Sequence, residues 1–458
     1  MTTSVRPTLI ALALPIFVEH ALHVLTSTID VFMVSTIGDD AVAALGISHQ
    51  FVVLAIMVFG FVGIGSSVVV THCLGGNDKT GAHATGVTAV AVNFWLGILL
   101  SVIITLNASG LLRLMQLPEA LFQYAQPYLV ILGATLWLEA HNVAVGAVLR
   151  AHNRASDAMW ITITQNVFNA VGNAVLLFGL FGAPRMGIIG VALATAASRV
   201  VAAALFWAML RRRTGITIRL VDLVRIPLPR LRRILRIGLP SAGEHLCWWI
   251  SFMTITTFTA RMGATSLAVQ SYTMQVMHFV FAFSFALALA NEILLGYHVG
   301  AGEFEHAYRR LLRTLKQGLG IIMIAVLPAA LFGGSILGLF SDNTEVIVLG
   351  ALLLKMALLI EPGRLFNMVM VCGLRATGDV TFPLKLGLIG MWGIWVPLSW
   401  FLGLYLGWGL PGLWTAMIVD ECFRGSVMFR RWKRRDWLPH AQRSRAGVEA
   451  SLAETAAA

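Results

Sequence analysis

Runs of about 20 mostly apolar residues recur along the chain, and each run is long enough to cross a lipid bilayer as a helix. Hydrophobic residues make up 58% of the 458 residues, and charged residues make up only 12%. A soluble domain does not need so large an apolar fraction, and a transmembrane barrel would show short alternating strands. The sequence therefore predicts an all-α polytopic membrane protein, with no cleavable signal peptide ahead of the first run.

Twelve of these runs are predicted to be transmembrane spans. The first six cover 8–35, 44–72, 86–112, 120–148, 158–182 and 187–210. The second six cover 234–261, 267–296, 316–341, 345–373, 382–407 and 409–430. We expect an N-lobe over 1–211, a cytoplasmic linker over 212–232, a C-lobe over 233–434 and a disordered tail over 435–458.

Basic residues are concentrated in alternate loops. The loops after the odd-numbered spans contain only Arg113, Arg185 and Arg261, whereas the linker and the tail are rich in arginine. Because basic loops stay on the cytoplasmic side, both termini are predicted to be cytoplasmic in a protein of the cell inner membrane. The net charge of +11 then reflects membrane topology, so no nucleic-acid partner is predicted. The four cysteines are scattered and predict neither a disulfide nor a metal site.

The two halves of the chain repeat each other. Glu19 and His20 follow Pro15 within one apolar run, and the same arrangement recurs 225 residues later at Glu244 and His245. The same shift carries Gly75 onto Gly300 and Arg150 onto Arg375. Six spans in each half mean that both halves enter the membrane in the same direction. We therefore expect two six-helix lobes related by a pseudo-two-fold axis along the membrane normal.

Carboxylates inside the spans are the first candidates for function, because a charge at this depth is costly to bury. Glu19 lies roughly 16 Å along the first span, near the middle of the bilayer. Asp30 follows eleven residues later, almost three helical turns on, and so shares a face with Glu19. We predict a proton or cation path through Asp30, Glu19 and Glu244, although Asp30 at an interfacial helix end is the simpler alternative. The repeat places Ile255 opposite Asp30.

Other polar side chains extend this candidate path. Asn169 and Asn173 are four residues apart on the fifth span and face the same way, and Thr195 lies in the sixth span. They either join helices by hydrogen bonds or offer oxygen atoms to a cation. Glu361 in the tenth span is either a second acid of the path or the ion-pair partner of Arg364, three residues later.

A further group of side chains near the repeated acids is predicted to line a substrate cavity through cation–π, soft and polar contacts. Ordinary helix packing is the alternative for each member. The group comprises His20, His245, Trp248, Trp249, Met253, Asn142 and Asn367. No nucleophile, metal cluster or phosphate motif accompanies these residues, so an enzyme is not expected.

Three motifs resemble the multidrug and toxic compound extrusion (MATE) family. They are the Pro15-to-Gly38 segment with its D-x-F-M-V core at Asp30, the LRATGD loop at 374–379, and the G-x-G-E sequence from Gly300 to Glu303. The resemblance covers about 8–430. It implies two lobes of six spans around a cavity that opens alternately to each side, and it implies export of organic cations in exchange for H+ or Na+.

The resemblance also implies roles for single residues. Asp30, Asn169 and Thr195 match the cation site of the family's N-lobe, and Asn173 replaces an aspartate of that site. Glu244 matches an acid on the seventh span, and Glu361 approximately matches its partner on the tenth.

We therefore expect an antiporter for amphipathic cations that acts as a monomer. It would have no cofactor beyond the coupling ion, and Na+, if bound, would lie near Asp30 or Glu244. A flippase for lipid-linked metabolites is the first alternative, and an integral-membrane enzyme is the second.

Overall fold

Helices account for almost all of the chain. The computed structural model describes residues 8–457, and no β-strand occurs among them. The predicted all-α class is confirmed. The first nine helices are α1 Leu9–Ser35, α2 Asp39–Gly75, α3 Lys79–Leu106, α4 Ala108–Leu114, α5 Glu119–Ala134, α6 Leu136–Ala151, α7 Ala155–Phe178, α8 Gly187–Thr214 and α9 Leu220–Val224. The others are α10 Leu228–Arg261, α11 Ala264–Gly300, α12 Phe304–Leu331, α13 Gly333–Leu337, α14 Thr344–Thr377, α15 Thr381–Gly390, α16 Val396–Ser399, α17 Leu410–Arg434 and α18 Leu438–Ala457.

Each of the twelve predicted spans coincides with a long helical segment. Within residues 8–457, nine segments are long and apolar enough to cross a membrane, and a bent pair of helices makes a tenth. The two remaining segments, α10 and α17, are equally long but contain several charged residues. The eleventh span, Thr381–Tyr405, contains α15 and α16 and two π-helical turns.

The fourth span is broken, whereas the sequence predicts one continuous helix over 120–148. Helices α5 and α6 meet at Thr135 at an angle of 49°. The break frees backbone groups that lipid cannot satisfy. Arg199 donates to the Leu132 carbonyl (3.1 Å), and the Trp137 amide donates to Ser101 Oγ (3.1 Å). The Leu132 carbonyl also accepts hydrogen bonds from the amide and the hydroxyl of Thr135, so a local turn and side chains from neighbouring helices together satisfy the backbone at the break.

The chain divides into two compact units. The N unit consists of 18–70 and 79–238, and the C unit consists of 239–458 with 71–78 and the residues up to Phe17. The end of α2 belongs to the C unit because glycines let it approach α11 closely. A Cβ atom on Gly75 would collide with the Tyr297 carbonyl, and one on Gly300 would collide with the carbonyl of His72. These two glycines are a matched pair of the 225-residue repeat.

The tail is helical, so the prediction of a disordered segment over 435–458 is wrong for Leu438–Ala457. Trp437, Ala441 and Val448 recur at helical spacing and are almost fully buried. Trp437 stacks on Trp432 with ring centroids 4.4 Å apart, and Arg445 donates to the Gly300 carbonyl. The polar composition of the tail concealed a narrow apolar face that packs on the C unit.

We predict that Val448→Asp detaches α18, because it places a carboxylate at a position that is 0% exposed. Limited trypsin digestion should then cleave after Arg443 and Arg445 at least about ten times faster than in the wild type, since local opening controls such cleavage. Ala450→Asp, at an exposed position of the same helix, is the control and should leave the rate unchanged. Equal cleavage rates for the two variants would contradict the packed tail.

Candidate functional site

The predicted polar residues of α1, α7 and α8 form one hydrogen-bonded chain inside the N unit. Asn173 Nδ2 donates to Asp30 Oδ1 at 2.6 Å and also lies 3.3 Å from Asn169 Oδ1. Asn169 in turn donates to Thr195 Oγ1 at 3.0 Å, and the Thr195 hydroxyl donates to the Val191 carbonyl of its own helix. Four of the residues singled out from the sequence are therefore brought together. The chain orients the carboxylate of Asp30 from one side.

Asp30 is the charged end of this chain and is half-buried. Within residues 8–457, no Arg, Lys or His nitrogen lies within 4.0 Å of its carboxylate. Asn173 Oδ1 is buried beside it and accepts no hydrogen bond. A carboxylate that has an amide donor but no counter-ion is a place where a proton or a small cation can bind. Oxygen atoms from Asp30, Asn173 and Asn169 are the type of ligand that hard cations prefer.

Glu19, the other acid of α1, is neutralised. Its Oε1 lies 2.8 Å from Arg150 Nη1, and both side chains are largely buried. Arg150 belongs to the last turn of α6, just beyond the predicted end of the fourth span at residue 148. Glu19 and Asp30 share a helix, yet only Asp30 lacks a basic partner. The sequence predicts both acids as members of one ion path, whereas the structure shows Glu19 in an ion pair and Asp30 outside one.

A second ion pair lies inside the N unit, between α6 and α8. Arg199 Nε lies 3.2 Å from Glu139 Oε2, and Arg199 also holds the broken span through Leu132. The amide of Asn142 donates to the Arg199 carbonyl at 3.4 Å. Sequence reasoning missed Glu139, although its position at the centre of a predicted span was a signal. The contacts of Arg199 with Glu139 and Asn142 join neighbouring helices. For Asn142 they correspond to the predicted alternative of ordinary helix packing.

A cluster of six polar residues lies between α14 and α17 in the C unit. Glu361 Oε1 lies 2.6 Å from Arg364 Nη1, so the predicted i, i+3 pair forms. Arg424 pairs with Asp420 at 2.7 Å and with Glu421 at 3.4 Å. The three acids and two arginines, together with the amide of Asn367, which donates to Glu421 at 2.6 Å, are buried or nearly so. Glu361 Oε2 accepts no hydrogen bond, and the cluster has one acid more than it has bases.

Sequence reasoning missed the acids and the arginine of α17. The signal was present, because Asp420, Glu421 and Arg424 interrupt a predicted span. The 225-residue shift also carries Arg199 onto Arg424 and Asn142 onto Asn367. The two units therefore anchor their last spans with an arginine at the same repeat position, and they surround it with different acids.

The repeated arginines near the ends of α6 and α14 form ion pairs with acids at different repeat positions. In the N unit Arg150 takes Glu19, but Arg375 at the matching position takes Glu292. Arg375 binds Glu292 through two hydrogen bonds of 3.0 and 2.6 Å, and both residues are buried. The repeat places a serine, Ser67, where Glu292 stands, so the N unit has no such competitor. Because Arg375 pairs with Glu292, it does not form an ion pair with Glu244.

Glu244 is consequently the second acid without a direct partner. Among the described residues, no basic nitrogen lies within 4.0 Å of its carboxylate. Arg375 and Arg424 are near enough to interact with it through space. The side chain packs beside Gly387, where an added Cβ would lie 3.6 Å from Glu244 Cγ. Arg375 and Arg424 are each paired with another acid, so neither forms an ion pair with Glu244. The half-buried carboxylate of Glu244 can therefore bind a cation.

The predicted cavity residues of α10 lie at the surface of the C unit. Trp248, Trp249 and Met253 keep 39%, 38% and 49% of their surface exposed, and Trp248 stacks on Phe252 at 5.3 Å. His245 Nδ1 lies 2.8 Å from the carbonyl of Ser241 one turn before it. His20 is half-buried on α1. A substrate-binding role for these residues stays a prediction. Residues 8–457 contain no cluster of three His, Cys, Asp or Glu side chains that could hold a metal.

We predict that Arg375→Gln lowers the free energy of unfolding by about 3–5 kcal/mol, because it leaves Glu292 buried without a counter-charge. Glu292 is only 2% exposed. The double variant Arg375→Gln/Glu292→Gln should recover most of the loss, since it removes both charges. Arg309→Gln, which breaks an exposed pair with Glu305, is the control and should have no measurable effect. Denaturant unfolding of the purified protein in detergent measures all three, and equal stability of Arg375→Gln and the control would contradict the pairing.

Comparisons with known proteins agree with this architecture. A family model described as MatE matches residues 15–175 and 240–401. The "Uncharacterized transporter YisQ" of Bacillus subtilis (strain 168) is 35% identical over 430 residues, which cover 94% of each chain. The "Probable multidrug resistance protein NorM" of Thermotoga maritima is 24% identical over 441 residues, again 94% of each chain.

The fold is also that of a solved transporter. A crystal structure of MATE in the bent conformation superposes with a TM-score of 0.86 at 22% identity, and it covers 95% of this chain and 96% of that chain. The family match extends over most of both repeated halves. The chain therefore belongs to the MatE family of multi-pass membrane transporters.

Proposed function

We propose that the protein is a secondary antiporter that exports amphipathic organic cations in exchange for H+ or Na+. Relatives named as multidrug resistance proteins support the substrate class. The observation that carries the proposal is the state of Asp30, which is oriented by an amide chain yet lacks a counter-ion among the described residues. An interior carboxylate kept unneutralised marks an ion pathway.

The other interior acids differ from Asp30, because most of them contact an arginine. Glu19, Glu139, Glu292 and Glu361 each contact an arginine. An acid that already contacts an arginine gains less by binding a proton or a cation than an acid that has no basic contact. Asp30 in the N unit and Glu244 in the C unit are the acids that gain a partner when an ion or a cationic substrate arrives.

Exchange requires that binding changes the preferred conformation. Neutralising Asp30 changes the interaction of α1 with Asn173, and therefore changes the relative free energies of the transporter's inward- and outward-facing states. A ligand shifts such an equilibrium only by its different affinity for the two states. Alternate binding of coupling ion and substrate then drives alternating access. Glu244 contributes a second negative charge for recognition of the cationic substrate.

The composition of the Asp30 site favours H+ over Na+ as the coupling ion. The site has a single carboxylate, because the side chain that contacts Asp30 is the amide of Asn173 and not a second acid. A protonated Asp30 would become a hydrogen-bond donor, and Asn173 Oδ1 is a buried acceptor that has no donor. In the present orientation the Asn173 nitrogen donates to the ionised carboxylate. After rotation of the amide by half a turn, the Asn173 oxygen would accept the hydrogen bond of the protonated acid. Asn173 thereby serves as a reversible partner of the carboxylate.

The balance of interior charge argues against a flippase for phosphate-bearing lipids. Such a substrate needs a surplus of bases. Eight acids of the predicted spans are buried or half-buried: Asp30, Glu19, Glu139, Glu244, Glu292, Glu361, Asp420 and Glu421. The arginines that face them number five: Arg150, Arg199, Arg364, Arg375 and Arg424. The surplus of acids supports a cationic substrate.

We predict that a pH gradient alone drives dye accumulation in everted membrane vesicles containing the protein, and that a sodium gradient alone drives little. The single carboxylate of the Asp30 site is the reason. Uptake of a fluorescent cationic dye measures transport, and a protonophore that collapses the pH gradient should abolish it. Transport under the sodium gradient alone would contradict proton coupling. Transport that needs ATP and no gradient would contradict antiport itself.

We predict that Asp30→Asn and Glu244→Gln each lower efflux by on the order of ten- to a hundred-fold at unchanged membrane expression, the range of typical coupling free energies. Both changes keep the size of the side chain and remove only its charge. Asp40→Asn, at an exposed acid of α2, is the matched control and should transport normally. Survival on toxic cations and vesicle uptake measure the effect. Full activity of both interior variants would remove the proposed mechanism.

A further inference from the structure

A groove on the C unit lies outside the ion-pair clusters described above. It runs between α12, α14 and α17 and has a volume of about 300 Å³, at the lower end of the usual range for ligand pockets. Seven of its eight lining side chains are apolar, and six of these are Leu312, Leu315, Leu319, Pro362, Leu365 and Phe366. The groove spans eight residues of α12, from Leu312 to Leu319, or about 12 Å. Its shape and lining suit a hydrocarbon chain.

Two glycines and a proline shape the walls of the groove. A Cβ atom on Gly318 would lie 3.0 Å from Leu365, and one on Gly425 would lie 2.9 Å from Phe366. The helices therefore pack closely behind the lining residues. Pro362 within α14 removes a backbone hydrogen bond at the inner end of the groove. The groove is a built feature of the helix packing.

Two lysines lie in or beside the groove. Lys316 lines it about one turn before Leu319 and is the last charged residue of α12, since 317–331 contain none. On α17, the Nζ of Lys433 lies 4.8 Å from the ring of Phe429, the remaining lining residue. In the described part of the chain, neither lysine has a carboxylate within 4.0 Å. Two ammonium groups without a carboxylate within 4.0 Å in the described residues are therefore available, one in the lining of the groove and one a helical turn beyond Phe429.

The end of the groove at Leu312 and Phe429 is predicted to face the cytoplasm, because the basic loop before α12 and the basic end of α17 adjoin it. The cytoplasmic leaflet contains anionic lipids, and basic pockets between helices on that side bind their head groups. We propose that the groove binds an anionic phospholipid, with one acyl chain against Leu319, Pro362 and Leu365 and with the phosphate held by Lys316 and Lys433. None of the residues that line the groove belongs to the ion-pair clusters of the C unit.

The position of the groove links the lipid to the interior of the C unit. Pro362 and Phe366 line it, while Glu361, Arg364 and Asn367 on the same turns of α14 belong to the buried cluster. A bound acyl chain would pack against the outer face of the segment whose inner face holds these polar groups. Bound lipid should therefore stabilise this segment of α14.

Lipid titration of the full-length protein in detergent tests the proposal. Native mass spectrometry would count bound phosphatidylglycerol and phosphatidylcholine with identical acyl chains. We expect phosphatidylglycerol to bind at least about ten times more tightly, and Lys316→Gln or Lys433→Gln to weaken it by about five-fold each. Lys385→Gln, at an exposed lysine of the same unit outside the groove, is the control and should bind as the wild type does.

A second variant tests the apolar part of the site. Leu319→Trp should fill the groove and displace both lipids, while the protein remains folded, because Leu319 is 47% exposed. Equal binding of the two lipids by the wild type would overturn the proposal, as would unchanged phosphatidylglycerol binding in the double variant Lys316→Gln/Lys433→Gln. Recovery of a second copy of the chain or a bound organic compound in place of lipid at this groove would also overturn it.

Discussion

A charge within a membrane-spanning protein must find an opposite charge, because lipid offers neither water nor counter-ions. Nearly every interior acid of this chain satisfies that requirement through an arginine. Glu292 and Arg375 do so with two hydrogen bonds, and Arg199 additionally completes the backbone of a broken span. The same requirement makes an unpaired carboxylate informative. Asp30 has an amide partner and, among the described residues, no counter-ion, which is why we propose that a mobile ion neutralises it.

The repeated halves of the chain show how such an exception arises. Arg150 and Arg375 occupy the same repeat position, yet one neutralises Glu19 and the other is engaged by Glu292. A single acid, present where the first half has Ser67, is enough to release Glu244 from a direct partner. Among the buried or half-buried acids of the described spans, each unit consequently holds one that has no basic contact, Asp30 or Glu244, and the repeat does not relate these two positions. Duplication supplied the framework, and local substitutions made the two units different.

Much of this organisation is predictable from the sequence, because hydropathy and loop charge depend on local composition. The number of spans, the repeat and the cluster of Asp30, Asn169, Asn173 and Thr195 follow from spacing along single helices and from resemblance. Pairing across helices does not follow, since it depends on which side chains meet in space.

The errors have the same origin. The polar composition of the tail concealed a narrow buried face that includes Val448, and the break at Thr135 is stabilised by Arg199 from another helix. The acids Asp420 and Glu421 lie in a span that was recognised by its apolar residues, so their significance became clear only from their contacts with Arg424. Local patterns thus identify the helices, and the tertiary contacts determine which charges remain available.

Proton release on substrate binding measures the central property of Asp30 directly. Purified protein in a weakly buffered detergent solution would be mixed with a cationic substrate while a pH indicator reports the protons set free. If Asp30 exchanges a proton for the substrate, the wild type releases protons and Asp30→Asn releases none or markedly fewer. Proton release of the same size from Asp30→Asn would show that another group is coupled to substrate binding, and it would contradict the role assigned to this carboxylate.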